Sequence, residues 1–138
     1  MRKIALRLGM LLLFLGAGLL GFQIAEGRTV GYKNISVEKF SEMMQHKDFI
    51  LINVHIPYQG EIPGTDRLIP YHSIDRRQEE LPADRNAKIV VYCLTGPMGY
   101  VAADKLVKLG YTNVLHFEGG MAAWVHSGNQ LVYRKKDS

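Results

Sequence analysis

The stretch IVVYCLTGPMGYV, residues 89–101, decides how the rest of the chain is arranged. It opens with three apolar β-forming residues and Tyr92, reaches Cys93, and then enters a loop rich in glycine and proline. Residues 101–109 follow with apolar side chains at helical spacing, which predicts an amphipathic helix. A cysteine between a buried strand and a helix N-terminus faces unpaired backbone N–H groups, which favour an anion. The position therefore indicates that Cys93 reacts as a thiolate nucleophile, the alternative being a buried structural cysteine.

Composition and charge exclude several classes of protein. A chain of 138 residues has room for one domain with a terminal extension. Three of its 17 basic residues are Arg2, Lys3 and Arg7, and no basic patch interleaved with aromatic residues follows them, which argues against nucleic-acid binding. Cys93 is the only cysteine, so an intrachain disulfide and a cysteine-rich metal site are both excluded. The histidines show no metal-ligand spacing, and we expect neither a metal nor an organic cofactor.

The pattern of residues 1–27 is typical of a signal peptide or a signal anchor. A basic start precedes an uncharged run at residues 8–22, which is shorter than the ~20 residues that span a bilayer comfortably. Ala25-Glu26-Gly27 offers a cleavage site with small residues at both ends. Without cleavage, residues 8–25 would anchor the protein in the cytoplasmic membrane with its domain outside. Both interpretations predict a periplasmic protein that contacts the membrane only through this segment, whereas a buried N-terminal helix is the third possibility.

Strands and helices alternate after a linker at residues 28–34, part of which could form an edge strand. Helices are predicted at residues 37–46, 73–81, 101–109 and 121–127, and strands at residues 49–54, 67–70, 89–93 and 114–117. The continuous apolar run FILINV at residues 49–54 is typical of a strand covered on both faces of a parallel sheet. The order predicts an α/β domain with a central, mostly parallel sheet flanked by helices. Residues 132–138 follow as a basic tail that we expect to be solvated.

Residues 35–131 resemble a rhodanese domain of the sulfurtransferase family. The second half reads YCLTGPMGYVAADKLVKLGYTNVLHFEGGMAAW, in which Cys93 at a strand end, Gly96, the LGY that closes a helix and the GGMAAW run match the family. The first half contains ISVEKF, LINV and EIPGTDRLIP in the matching order. The resemblance implies a three-layer rhodanese-like fold. It also implies a cysteine that accepts a sulfane sulfur as a persulfide and passes it to a thiol, to cyanide or to a partner protein.

The resemblance further implies which residues form the site. Cys93 would be the nucleophile, and backbone N–H groups of the following loop would point at its sulfur. This amide cradle would comprise Leu94, Thr95, Gly96, Met98 and Gly99, whereas Pro97 has no N–H to contribute. The rim of the site would include His55, Tyr58 and Glu61.

The chain departs from the family pattern close to the cysteine. Active members often carry basic residues where Leu94 and Met98 stand, and a hydroxyl-bearing residue where Gly99 stands. The acidic residue usual at the end of the second strand is Asn53. The loop is therefore unusually apolar, and thiosulfate, a dianion, lacks its expected side-chain partners. Sulfur carriage is predicted to persist, with the identity of the donor left open.

Other functions compete with sulfur transfer. A non-catalytic rhodanese-like module, which binds a partner or carries sulfur for it, is favoured by the apolar Leu94 and Met98. A phosphatase with a related cradle needs an arginine at the position of Gly99 to grip phosphate in bidentate fashion, and its absence argues against that activity. A redox or arsenate-type reductase usually needs a resolving cysteine, which this chain lacks.

Overall fold

A parallel sheet of five strands forms the centre of the computed structural model, which describes residues 31–135. The strands are β1 (Lys33–Ile35), β2 (Ile50–Asn53), β3 (Arg67–Leu68), β4 (Ile89–Tyr92) and β5 (Val114–Phe117). Their order across the sheet is β1-β5-β4-β2-β3, and every neighbouring pair is parallel. The predicted α/β class with a parallel central sheet is therefore confirmed. The predicted signal segment, residues 1–27, lies outside the described residues.

Helices cover both faces of the sheet and give the fold its three layers. They are α1 (Val37–Gln45), α2 (Pro97–Lys108) and α3 (Gly120–His126). On one face, Ala102 and Leu106 of α2 belong to a buried core cluster with residues of β2 and β4. On the other face, the Phe40 ring of α1 stacks on Phe117 with the ring centroids 4.2 Å apart, and it meets Trp124 of α3 edge-on. Among residues 31–135, none of the helices has the length and apolar character needed to cross a membrane.

The central strand β4 determines where Cys93, the predicted nucleophile, lies. All four of its residues are buried, since β2 and β5 flank it and helices cover both of its faces. Such a position explains the continuous apolar run in its sequence. Cys93 follows directly after Tyr92, at the carboxyl end of the strand. Open parallel sheets bind their ligands along this edge.

Two predicted helices differ from those observed. The helix predicted at residues 73–81 is absent. Two short 3₁₀ turns, Tyr71–Ser73 and Gln78–Glu80, occupy this part of the chain instead. Ile74 and Leu81 are the buried hydrophobic residues of this stretch, so it has no continuous apolar stripe that could stabilise a helix by packing. Helix α2 begins at Pro97 and not at residue 101, because proline is favourable in the first turn and Gly96 caps it.

Both ends of the described chain are attached to the domain. Lys33 and Asn34, in the segment predicted as a linker or an edge strand, pair with β5 at the edge of the sheet. At the other end, Val132 of the predicted basic tail exchanges two backbone hydrogen bonds of 2.9 Å with Glu61. The start of the tail is therefore attached through its backbone to the loop that follows β2, while residues 132–135 are exposed to solvent and residues 136–138 lie outside the described part of the chain.

The Tyr92 hydroxyl connects β4 to the loop between β2 and β3. It accepts a hydrogen bond from the Ile62 N–H at 3.0 Å and lies 2.6 Å from Thr65 Oγ1. Because the Thr65 hydroxyl donates to the Ile62 carbonyl, Tyr92 donates to Thr65. Burial raises the pKa of Tyr92 to about 12, so the hydroxyl keeps its proton at all ordinary pH values.

We predict that Tyr92→Phe destabilises the protein by about 1–3 kcal/mol, because it leaves the buried Ile62 N–H without an acceptor. Urea denaturation measures the loss. The matched control is Tyr133→Phe, since the Tyr133 side chain is 68% exposed and its change should stay within about 0.5 kcal/mol. Equal losses in the two variants would contradict the prediction.

Candidate active site

Cys93 lies in a nearly closed position at the end of β4. The residue is 2% exposed, and its Sγ accepts a hydrogen bond from the Gly96 N–H at 3.0 Å. Gly96 has a φ of +150° and precedes the first turn of α2, so the chain folds back over the sulfur within three residues. A residue with a side chain would be strained at this φ. The tight turn and the hydrogen bond place the sulfur next to a helix N-terminus, where an anion is stabilised.

The predicted amide cradle is partly engaged. Gly96 donates to the sulfur, whereas the N–H groups of Leu94, Thr95, Met98 and Gly99 make no hydrogen bond to any group within residues 31–135. Met98 and Gly99 belong to the first turn of α2, in which the N–H groups lack intrahelical partners. These four N–H groups therefore have no partner among the described residues, although Gly99 is buried. Their role in holding a sulfur anion stays a prediction.

Leu94 and Met98 anchor the loop to the core instead of carrying charge. Leu94 packs against the cluster that α1 and α3 form with the sheet, and Met98 packs against the cluster beneath α2. Both side chains are only partly buried. The loop is therefore fastened by apolar contacts on either side of the sheet, and the backbone N–H groups supply its polarity.

Helix α3 holds the backbone of the cysteine from behind. The Met121 N–H donates to the Cys93 carbonyl at 2.9 Å, and the Ala122 N–H donates to the Leu94 carbonyl at 2.9 Å. This approach requires glycine at position 120, because a Cβ there would lie 2.1 Å from the Cys93 carbonyl oxygen. This close contact explains the second glycine of the GGMAAW run, which the sequence alone did not explain.

A buried histidine lies beneath the first turn of α2. His116 of β5 is fully buried, and its Nδ1 lies 2.9 Å from Asn34 Oδ1. A Cβ on Gly99 would lie 2.2 Å from His116 Nε2, so the imidazole occupies the space that a residue-99 side chain would need. No role for His116 was predicted from the sequence. The available signals were a histidine within the buried strand VLHF and a glycine in the first turn of the helix that precedes this strand.

The predicted rim residues are only partly brought together. His55 Nε2 lies 2.7 Å from Gln59 Oε1, and the Tyr58 hydroxyl donates to Glu61 Oε2 at 3.1 Å. Glu61 is only 6% exposed and forms an ion pair of 2.9 Å with Arg134 of the basic tail. Glu61 thus braces the loop and the tail in this structure. The sequence could not show this pairing, because the two residues lie far apart in the chain.

A cleft of about 220 Å³ opens beside the carboxyl ends of β2 and β3. His55 and Tyr58 line one part of it, and Ile69 and Arg77 line another. Asn53, which also contributes, holds the loop by donating from its amide to the Gly60 carbonyl at 3.1 Å. The cleft gives two of the three predicted rim residues a shared surface. Within residues 31–135, no cluster of side chains has the composition of a metal site.

The comparison with known proteins agrees with this geometry. The family of rhodanese-like domains matches residues 36–127, and the chain belongs to that family. A sulfurtransferase of Allochromatium vinosum is 37% identical over 89 residues, which cover 62% of this chain and 80% of that protein. Thiosulfate sulfurtransferase GlpE of Pseudoalteromonas translucida is 27% identical over 108 residues, which cover 76% of this chain and 100% of that protein.

A solved structure shows the same fold. The crystal structure of a rhodanese-related protein from Thermoplasma volcanium matches with a TM-score of 0.63 and 24% identity, covering 75% of this chain and 100% of that one. The three-layer arrangement expected from the resemblance is thereby confirmed.

We predict that Gly120→Ala disturbs the sulfur site more than an ordinary glycine substitution does. Gly120 and Gly110 both have positive φ, +54° and +94°, so alanine costs about 1–2 kcal/mol at either position. At Gly120 the new Cβ also meets the Cys93 carbonyl, and this overpacking adds about 1–3 kcal/mol to the loss of stability. At Gly110 nothing lies within 4 Å of the new Cβ, so no such cost is added.

Urea denaturation and the rate of Cys93 alkylation by iodoacetamide measure the two effects of this substitution. Gly110→Ala should leave the alkylation rate unchanged, because Gly110 lies at the far end of α2. An unaltered alkylation rate in Gly120→Ala, with a stability equal to that of Gly110→Ala, would contradict the prediction.

Proposed function

We propose that the protein is a rhodanese-type sulfurtransferase that carries sulfane sulfur as a persulfide on Cys93. The family match and the sulfurtransferase relatives support rhodanese-type sulfur transfer as the class of activity. The observation that carries the proposal is the Gly96 N–H on Cys93 Sγ at 3.0 Å, in a loop with further free N–H groups. Such donors stabilise a thiolate, which is the nucleophilic form of cysteine.

The proposed reaction has two displacement steps. In the first, the Cys93 thiolate attacks the outer sulfur of a sulfane donor, an S–S bond to Cys93 forms, and the donor's own S–S bond breaks. The donor leaves with the electron pair. In the second step, a thiolate or cyanide attacks the outer sulfur, and the electron pair returns to Cys93. The cysteine ends as it began, so the cycle needs no external oxidant or reductant.

Backbone N–H groups and the N-terminus of α2 stabilise the charge during these steps. The persulfide is an anion at its outer sulfur, and the N–H groups of residues 94, 95, 98 and 99 are available to it. Donors fixed in position before the reaction lose little energy to reorganisation. The apolar loop offers a dianionic donor no basic side chain at positions 94 and 98. We therefore expect polysulfide or a persulfide to be a better donor than thiosulfate.

Leu94 and Met98 favour a second function, that of a sulfur carrier for a partner protein. Both side chains are partly exposed and apolar, and apolar side chains beside the cysteine suit contact with a protein surface better than contact with a small anion. In this reading, the domain carries sulfur for a dedicated partner and turns over small acceptors slowly. The two functions differ in the acceptor and share the persulfide on Cys93.

Sulfur loading tests the chemistry that both functions share. Intact-mass measurement after incubation with polysulfide should show a gain of one sulfur atom, and thiosulfate should load the protein more slowly. Cys93→Ala should gain none, because the sulfur has no other cysteine to bind. Cyanide should then remove the sulfur and produce thiocyanate. If neither donor adds sulfur to the wild-type protein, the proposed chemistry is wrong.

The proposed location is the periplasm, and it rests on the sequence of the N-terminal segment alone. A basic start, an apolar run and a small-residue cleavage site support export. N-terminal sequencing of the protein expressed with its full N-terminus should give a chain that begins near Arg28 if the segment is cleaved. A chain that begins at the initiator and sediments with membranes indicates the anchored form. An uncleaved chain in the cytosolic fraction would contradict both forms.

A further inference from the structure

His116 is a buried titratable group that the two displacement steps do not use. Its side chain is fully buried between β1 and α2. With Asn34 Oδ1 as acceptor at 2.9 Å, Nδ1 carries the proton of the neutral ring. Nε2 then presents a lone pair, and it has no hydrogen-bond partner within the described part of the chain. An unpartnered polar atom in a protein core costs free energy, which makes its surroundings informative.

The unpartnered nitrogen faces the turn that holds the reactive sulfur. It lies against Gly99 in the first turn of α2, where a Cβ would come within 2.2 Å of Nε2. The Tyr100 ring packs on the imidazole with the ring centroids 4.3 Å apart. The first turn of α2 therefore rests on His116. Gly96 begins that turn, and its N–H is the donor to Cys93 Sγ.

Burial and the groups around the imidazole shift its pKa in opposite directions, and burial has the larger effect. Burial lowers the pKa of His116, whereas the charge of Glu118 and the Gly96 backbone raise it. Tyr100 donates to Glu118, and Tyr32 lies edge-on to the imidazole at 6.3 Å. From β4, the uncharged Val91 stands beside His116 in the sheet register.

We propose that His116 is a positioning residue of the sulfur site, which acts through the first turn of α2 and takes up a proton at Nε2 when the sulfur becomes an anion. The inference rests on the proposed function, since it concerns the same thiolate and persulfide. The loop has no basic side chain at positions 94 and 98, and the imidazole beneath it supplies the compensating positive charge. The proton comes from solvent, and no bond to sulfur is made or broken by His116.

The linkage between the two groups runs in both directions. A protonated His116 places a positive charge under the first turn of α2, which favours an anionic sulfur. An anionic sulfur in turn raises the proton affinity of His116 by the same coupling free energy. As the pH falls through the histidine range, the wild-type protein should therefore keep more reactive thiolate than a variant that lacks the imidazole.

The pH profile of Cys93 alkylation tests the inference in the full-length protein. The rate with iodoacetamide is measured between about pH 5 and 8, where histidine titrates. His116→Phe keeps a ring without a nitrogen, and His116→Gln keeps hydrogen-bonding atoms without titration. The ratio of the rate at the acidic end to that at the alkaline end should fall at least about threefold in both variants. His46→Gln, at an exposed histidine, is the control and should keep the wild-type profile.

A second measurement does not depend on a substitution in the core. NMR titration of the His116 ring should give a higher midpoint in the persulfide-loaded protein than in Cys93→Ser, whereas a merely structural histidine would give the same midpoint in both. Wild-type alkylation profiles in either His116 variant, or an unchanged midpoint, overturn the inference. Failure of the wild-type protein to load sulfur overturns the proposed function instead, and the alkylation profiles still decide the role of His116.

Discussion

Two hydrogen bonds from the first turn of α3 hold the backbone that carries the reactive sulfur. The Met121 and Ala122 N–H groups donate to the carbonyls of Cys93 and Leu94, each at 2.9 Å. Pairing in the sheet fixes the backbone of β4 up to Tyr92, and these two hydrogen bonds fix the backbone of the next two residues, Cys93 and Leu94. The turn back to Gly96 can then place an N–H on the sulfur. Because the contact needs a residue without a side chain at position 120, the site depends on Gly120 as much as on the loop itself.

The site achieves its polarity without basic side chains in the loop. Leu94 and Met98 fasten the loop to the two core clusters, so the positions next to the cysteine contribute packing. Backbone N–H groups and the N-terminus of α2 remain to stabilise negative charge. Gly99 leaves room for the imidazole of His116 beneath the same turn. We therefore expect negative charge on the sulfur to be compensated by the backbone N–H groups around it and by His116 of β5 beneath the turn.

Much of the fold could be predicted from local pattern. The runs that became β2 and β4 are almost entirely apolar, which is the signature of strands covered on both faces. Helix α1 follows from the N-cap Ser36 and its amphipathic pattern. The prediction failed at residues 73–81, where helix-compatible residues have too little apolar surface to pack. The start of α2 was placed too late, because the apolar period begins one turn after the helix does.

The sequence by itself determined the family of the protein and indicated Cys93 as the candidate nucleophile, since the motifs of the family and one cysteine at the end of a buried strand are local properties of the chain. The tertiary structure alone decided what surrounds that sulfur. The contacts of Gly120 with the Cys93 carbonyl, of His116 with Gly99, and of Glu61 with Arg134 join residues from separate elements. Their pairing follows from the order of the strands across the sheet and the packing of the helices on it. No local pattern of residues encodes such distances, which is why the sequence could name Gly99 and the GGMAAW run but could not show the contacts they make, and why it gave His116 no role.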